Sequence, residues 1–324
     1  MSLTMSCAFT TSLQTPEHVR IAEELGYERA WLYDSPAVCA DVWTQLSRSA
    51  ERTENISLGP GVLVPSLRHP MVTATAIAEL VEHVGQERVV VGVGSGFTGR
   101  LALGQRPCTW AYVADYIRAL KALLRGERTE WDGSVIEMLH HTGFAAPRPI
   151  DVPFVVAAFG PKGMSVASEL GDGAITLAAM PYDGFDWVTH IVFGTVLEPG
   201  ENPGSDRAVD AAGHAASVML HFAIEFDKLD MIPGGREWAS AYDDVPPETR
   251  HLTVHDGHLW AVSERDRPFV TGDVLASQGL AQDESAWRDK IAEWEEGGAT
   301  EIAYQPAGPD VPRELEAFAK AVRN

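Results

Sequence analysis

Ser57-Leu58-Gly59-Pro60-Gly61-Val62-Leu63-Val64-Pro65-Ser66-Leu67-Arg68-His69-Pro70 is the stretch that decides the fold. It opens as a buried strand and breaks at Gly-Pro-Gly. Pro60 brings no N–H donor to a sheet ladder, and the flanking glycines admit backbone conformations closed to other residues. Pro70 suits the first turn of a helix, where a missing donor costs nothing. From Met71 to Val84 the apolar residues Val72, Ala76, Ile77, Leu80, Val81 and Val84 follow at helical spacing. The run therefore reads as strand, distorted strand end, helix, and distortion of this kind tends to mark a site.

Working outward, the same punctuation recurs. Glu23-Glu24-Leu25-Gly26 leads into Arg29-Ala30-Trp31-Leu32-Tyr33, and Val84-Gly85 into Arg88-Val89-Val90-Val91-Gly92-Val93. Glu169-Leu170-Gly171 leads into Ala174-Ile175-Thr176-Leu177, and Glu296-Gly297-Gly298 into Glu301-Ile302-Ala303-Tyr304. Each is a helix stopped by glycine and followed by a short apolar strand, the alternation expected of a parallel sheet. Strands are predicted near 5–10, 29–33, 56–63, 88–93, 153–158, 173–177, 188–197 and 299–305. Helices are predicted near 16–25, 41–52, 71–84, 161–170, 285–296 and 312–322. The expected architecture is α/β: a single (β/α)8 TIM barrel over residues 1–324, with insertions at about 99–150 after strand four and 199–270 after strand seven. The first insertion is read as an extra helix and a hairpin-like piece, the second as a Pro/Gly-rich loop, a helix near 206–226 and irregular polar sequence.

The composition narrows the function. With 324 residues, 45% of them apolar, the chain can bury a large core. The 25 basic and 46 acidic side chains give a formal charge of −21, which repels a nucleic-acid backbone. No stretch reaches bilayer-spanning length, and Met1-Ser2-Leu3-Thr4-Met5 has neither a basic leader region nor a cleavable apolar core. Cys7, Cys39 and Cys108 form no CxxC pair and fit reduced thiols. The expectation is a cytoplasmic protein acting on a small molecule, without nucleic-acid or membrane partners; a homodimer stays open.

In a barrel of this kind the site lies where strands end. Gly160, Pro161, Lys162 and Gly163 form the best anion cradle, a helix N-terminus with free amides and a nearby ammonium. Gly94, Ser95 and Gly96 begin a G-x-G-x-x-G match ending at Gly99. Its context is not that of a nicotinamide fingerprint, since it follows the fourth strand and no long helix opens from it. A flexible loop that brings Thr98 and Arg100 to a ligand suits the barrel better. Asp34 and His69 also follow strands and are the candidate acid–base pair, although a cap and a local hydrogen bond explain them equally well. His251, His255 and His258 lack the spacing of a zinc helix, so no metal is expected and a lid or surface turn is the reading there.

Gly59-Pro60-Gly61-Val62, Pro65 and Arg68-His69-Pro70, with Arg88 to Gly96 after the intervening helix, resemble the core of the bacterial luciferase-like monooxygenase family. Pro153 to Gly163, Ala167 to Gly173 and Gly26 to Asp34 are similar to its other signatures, and the likeness is strongest in the branch that includes methylenetetrahydromethanopterin reductase. The resemblance implies a (β/α)8 barrel that holds the deazaflavin coenzyme F420, or alternatively FMN, at the C-terminal ends of the strands. It also implies a non-proline cis peptide, which would fall at Gly61-Val62 against the ring. Where the family often has Asp-His after strand two, this chain has Asp34-Ser35-Pro36. The implied activity is hydride transfer between the deazaflavin and a small organic substrate, with an FMN-dependent monooxygenase as the alternative. From another class, a metal-dependent hydrolase or a phosphate-ligand-binding barrel stays open.

Overall fold

The computed structural model describes residues 3–177 and 184–323. Met1 and Ser2, part of the start read for a leader, lie outside the described residues. The chain begins β1 (Thr4–Phe9), α1 (Thr15–Glu24), β2 (Arg29–Leu32), α2 (Val42–Ala50), β3 (Ser57–Pro60), α3 (Pro70–Val84) and β4 (Val91–Gly94). After β4 come α4 (Phe97–Leu101), α5 (Trp110–Arg125) and the antiparallel hairpin β5 (Thr129–Trp131) and β6 (Ser134–Ile136). Then follow β7 (Phe154–Ala157), α6 (Gly160–Leu170), β8 (Gly173–Thr176) and β9 (Val188–Phe193).

The second excursion opens with β10 (Thr195–Val196) and continues through α7 (Asp206–Glu225), α8 (Gly235–Ser240), α9 (Arg250–Val254) and α10 (Gly272–Ser277). It returns at β11 (Ala281–Gln282), and the chain ends with α11 (Glu284–Glu296), β12 (Glu301–Gln305) and α12 (Val311–Arg323). No helix among the described residues is long and apolar enough to cross a membrane.

Eight parallel strands form one sheet in the order β3-β2-β1-β12-β9-β8-β7-β4. Parallel bridges Leu58–Val89 and Leu63–Val93 join its two ends and close the barrel. The seam lies where the Gly-Pro-Gly break was read: Gly61 N–H donates to Leu32 O at 2.7 Å, whereas Leu63 N–H turns to Gly92 O at 2.8 Å. The N–H donors of this segment thus switch from β2 to β4 across Gly61 and Val62, while Leu58 O already accepts from Val90 N–H. The barrel interior is filled by Ala8, Trp31, Tyr33, Val90, Val155, Ala157, Ile175 and Ala303, with Val62, Phe159 and Leu259 partly buried against them. Near the starts of the strands, Glu301 is buried and accepts from Trp31 Nε1 and Trp187 Nε1, each at 2.8 Å, and from Arg29.

The first insertion differs from the expectation. α5 packs between α3 and α6 and is the barrel's own fourth helix, not an extra one. The surplus in 99–150 is therefore the rest of α4, the β5–β6 hairpin and the irregular chain after it. The second insertion is entered and left through a neck in which β10 pairs with β11. It is more ordered than its polar sequence implied, because Val209, Ala212, Ala216, Leu220, Trp238, Tyr242, Val254 and Leu275 form a core of their own.

Candidate active site

The loop after β3 forms one wall of the barrel mouth. The Gly61–Val62 peptide is cis. A Cβ on Gly61 would come within 2.7 Å of Trp31 Cβ, and one on Gly94 within 2.7 Å of Val62 Cγ2, so both positions admit only glycine at this backbone approach. Gly96 packs beneath Val64, and a Cβ on Gly99 would lie 2.8 Å from the Asp34 carbonyl. The G-x-G-x-x-G glycines therefore serve to seat one loop under another. Ser95 is buried, and its carbonyl accepts from Cys108 N–H at 2.8 Å. A short helix, α4, opens directly from Gly96 and ends at Leu101, so no long helix follows the glycines. It carries Thr98 and Arg100, and Arg100 donates to Ser66 Oγ and Arg106 O, which turns its guanidinium to bracing the loop after β3.

Asp34 is buried at the end of β2. Both its carboxylate oxygens lie 2.7 Å from Arg68 Nη1, and Oδ2 accepts from Val64 N–H at 3.3 Å. Arg68 also reaches Asp41 Oδ2 at 2.8 Å. Burial pushes the Asp34 carboxyl up from the usual range, and Arg68 offsets only part of that. His69 is not brought to Asp34. It is exposed, its Nδ1 accepts from Met71 N–H at 3.1 Å as the cap of α3, and its ring stands edge-on to Trp131 at 6.3 Å.

Two strands round the barrel from β3, beyond β4, α6 starts at Gly160, with Pro161 in its first turn. Gly160 has φ of 72°, a left-handed conformation that glycine adopts without a Cβ penalty, and no atom lies within 4 Å of the place a Cβ would take. Gly160, Pro161 and Lys162 are exposed, whereas Gly163 is buried with Trp110 directly against it. The first-turn amides thus face an open cradle. Phe97 links this cradle to the glycine loop, meeting Phe159 edge-on at 5.9 Å and Phe222 and Phe226 of the insertion at 5.5 and 5.6 Å.

Several mouth residues carry no local sequence signal. Gln305, at the end of β12, accepts from Tyr33 OH at 2.8 Å and donates to Leu259 O at 2.7 Å. Thr10 Oγ1 donates to the same carbonyl at 2.8 Å. Leu259 has φ of 65°, a left-handed backbone uncommon outside glycine, and its side chain caps the interior cluster. The buried His214 of α7 stands 3.4 Å from Gln305 Nε2. These contacts bring the insertion down onto the strand ends. A cavity of about 860 Å3 lies elsewhere, between Val196 to Glu201, Ala281 to Ala286 and α12. A smaller one of about 250 Å3 lies at the mouth between Ala37, Val38, Ala102 and the segment Leu252 to Gly257.

The mouth therefore offers a ligand an apolar wall at Val62, an aromatic flank at Phe97 and Phe159, polar atoms at the strand ends and an anion cradle at α6. That set fits a flat ring with a phosphate-bearing tail. The chain belongs to the luciferase-like monooxygenase family, whose model matches residues 11–192.

Within it, the chain is 34% identical over 318 residues to an F420-dependent glucose-6-phosphate dehydrogenase of Beutenbergia cavernae, covering 93% of this chain and 90% of the relative. It is 25% identical over 323 residues to a 5,10-methylenetetrahydromethanopterin reductase of Archaeoglobus fulgidus, covering 94% of this chain and 93% of the relative. Among solved structures, an F420-dependent secondary alcohol dehydrogenase in complex with an F420-acetone adduct superposes with a TM-score of 0.67 at 18% identity, covering 100% of both chains. A type II Baeyer-Villiger monooxygenase of Pseudomonas putida in complex with FMN superposes with a TM-score of 0.61 at 12% identity, covering 99% of this chain and 98% of the other. These likenesses support the barrel.

Proposed function

We propose that this chain is an oxidoreductase that transfers hydride between bound deazaflavin coenzyme F420 and a small organic substrate. The observation that carries the reading is the two-part mouth, an apolar wall at Gly61 and Val62 with an open α6 N-terminus two strands away, in a chain similar along nearly its whole length to enzymes named for F420. When bound, the deazaflavin supplies the hydride-accepting or hydride-donating carbon. Gly61 and Val62 hold the ring face, and the amides of Lys162, Gly163 and Met164 hold the tail phosphate, with the Lys162 ammonium nearby. Gly94, Ser95 and Gly96 keep the ring wall in register, Arg100 braces its edge through Ser66, and Thr98 lies beside it on α4. Gln305, Tyr33 and Leu259 close the mouth and limit water.

Asp34 and His69 are the residues assigned to the proton step, and the geometry favours Asp34. Its carboxyl is buried directly beneath the loop that carries Val62, and burial moves it toward the neutral form. The buried Asp34–Arg68 pair also sets the height of Val64 and so of the ring wall. We assign the reaction to the cytoplasm, which matches the three free cysteines, and a homodimer fits this reading.

Fluorescence titration of the full chain with coenzyme F420 and FMN side by side tests the proposal. Saturable F420 binding, at least about tenfold tighter than FMN, is the expected result. Binding of FMN alone would turn the reading to an FMN-dependent monooxygenase. Binding of neither would remove redox chemistry and leave a phosphate-ligand-binding barrel or a hydrolase.

A further inference from the structure

We propose that His221, His255 and His258 form a binding site for a late first-row divalent ion such as Zn2+, pinning the insertion over the barrel mouth. The inference goes beyond the redox reading and does not depend on it. His221 comes from α7, whereas His255 and His258 come from the turn after α9. The three side chains are 1%, 2% and 7% exposed. His258 Nδ1 lies 3.1 Å from His221 Nδ1 and 3.3 Å from His255 Nδ1, and one nitrogen from each ring lies within 4.8 Å of the others. Imidazole nitrogens about 2.0–2.1 Å from a tetrahedral zinc ion stand about 3.3–3.4 Å apart; the two pairs through His258 come close to this, and His221 and His255, within 4.8 Å of each other, draw together on binding to complete the site.

The hydrogen-bond inventory supports an ion at this point. Asp266 is fully buried, and its carboxylate accepts from His221 Nε2 at 3.1 Å, Trp238 Nε1 at 2.8 Å and Tyr242 OH at 2.7 Å. With the proton of His221 held on Nε2 by Asp266, its Nδ1 presents a bare lone pair to His258. A single proton on His258 Nδ1 then serves either His221 or His255 well, not both, and one buried lone pair is left over. The Nε2 of His255 has no hydrogen-bond partner, and its nearest carboxylate, Glu225, is 3.7 Å away. An ion accepts all three lone pairs at once. The Asp266–His221 pair supplies the carboxylate that commonly orients a metal-bound imidazole. The cavity of about 250 Å3 bordered by His255, Asp256 and Gly257 gives the ion an entry path. Leu259, adjacent to His258, carries the consequence to the barrel through Thr10 and Gln305.

The test is metal analysis of the full-length protein, purified without a polyhistidine tag, then stripped with chelator and titrated with Zn2+ or Co2+. The expected result is about one ion per chain, visible ligand-field bands for Co2+ in nitrogen coordination, and a raised melting temperature on reloading. His221→Ala and His258→Ala should each lose the ion, whereas His251→Ala, which alters the neighbouring histidine outside the cluster, should keep it. Should a cluster variant fail to fold, the cobalt spectrum of the parent protein decides alone. Absence of stoichiometric binding in the parent, or full retention of the ion by folded His221→Ala, would overturn the proposal in favour of a proton-sharing histidine cluster.

Discussion

Gln305 donates through Nε2 to the carbonyl of Leu259, 2.7 Å away, and thereby ties the last barrel strand to the distal turn of the second insertion. Because the other end of the same amide accepts from Tyr33 OH, the assignment of its oxygen and nitrogen follows from the network. Replacing Gln305 by Leu strands the buried Tyr33 OH, which costs about 1–3 kcal/mol when left unpaired, whereas the Leu259 carbonyl keeps its bond from Thr10 Oγ1. We expect Gln305→Leu to lower stability by about that amount and to raise KM for the substrate more than it lowers kcat. Denaturant titration and steady-state kinetics check both; an unchanged KM would disconnect the insertion from substrate binding.

Asp34 and Arg68 make the next comparison. Asp34→Asn keeps the shape and removes the charge that Arg68 faces, and losing one partner of a buried ion pair costs on the order of 3–5 kcal/mol. Arg68 is partly accessible, so the expected loss lies at the lower end of that range. Turnover should fall by about 10²-fold or more if the carboxyl also handles the proton. His69→Gln, altering an exposed cap, should cost about 1 kcal/mol or less of stability and leave turnover within a few-fold of the parent. The reverse ranking of the two variants would move the proton step to His69.

The anion cradle at α6 predicts two unequal effects. Lys162 is exposed, so Lys162→Ala should weaken coenzyme binding only about three- to tenfold, and less at high salt. Gly163→Ala forces a Cβ to 2.5 Å from Trp110 and should displace the first turn of the helix, weakening binding by more than the lysine variant does. Isothermal titration at two ionic strengths separates them, and equal affinity for a phosphate-free deazaflavin would relocate the tail.

Acid sensitivity follows from two histidines outside the cluster. Burial holds both His190 and His214 at about 4, against an ordinary value of 6.5, with the Lys290 charge adding to the effect on His190. Each is depressed, so the unfolded chain binds its proton first. The stabilisation is present above pH 6.5 and is lost as pH falls from 6.5 toward 4, by about 3 kcal/mol per residue at most. His190 packs against Trp294 at 4.7 Å with its Nδ1 unpartnered. His190→Leu should therefore flatten the stability loss between pH 7.5 and 4.5, measured by urea unfolding at each pH. A parallel acid limb in the variant would assign the titration elsewhere.

The barrel strands were legible because each is a short apolar run, four of them (β2, β4, β8 and β12) preceded by a glycine stop, and such signals are local. The broken end of β3 was legible for the same reason, since Gly59-Pro60-Gly61 announces a broken ladder within three residues. The partners of those residues were not. Asp34 meets Arg68, Arg100 meets Ser66 and Gln305 meets Leu259 across separations of 34, 34 and 46 positions, and no periodicity marks such pairs. Residues 227 to 270 looked like polar loop because Trp238, Tyr242 and Val254 are isolated in the sequence and become a core only against α7. His251, His255 and His258 were read together by adjacency, whereas folding exchanges His251 for His221.

The paired strands β10 and β11 make the second insertion a module with a doorway. Thr195 stands opposite Ala281, so everything between them departs from and returns to neighbouring points on the barrel wall. Closing a loop whose ends already touch depends only weakly on its contents, with each doubling of length costing about 0.6 kcal/mol. The barrel can thus exchange this module for shorter or longer ones at little thermodynamic expense, while the seam at β3 and the cradle at α6 stay as they are. On the proposed function, ring binding stays with the barrel while the insertion is separately replaceable, so a transplant of residues 197–280 between family members tests whether the module sets what the barrel acts on.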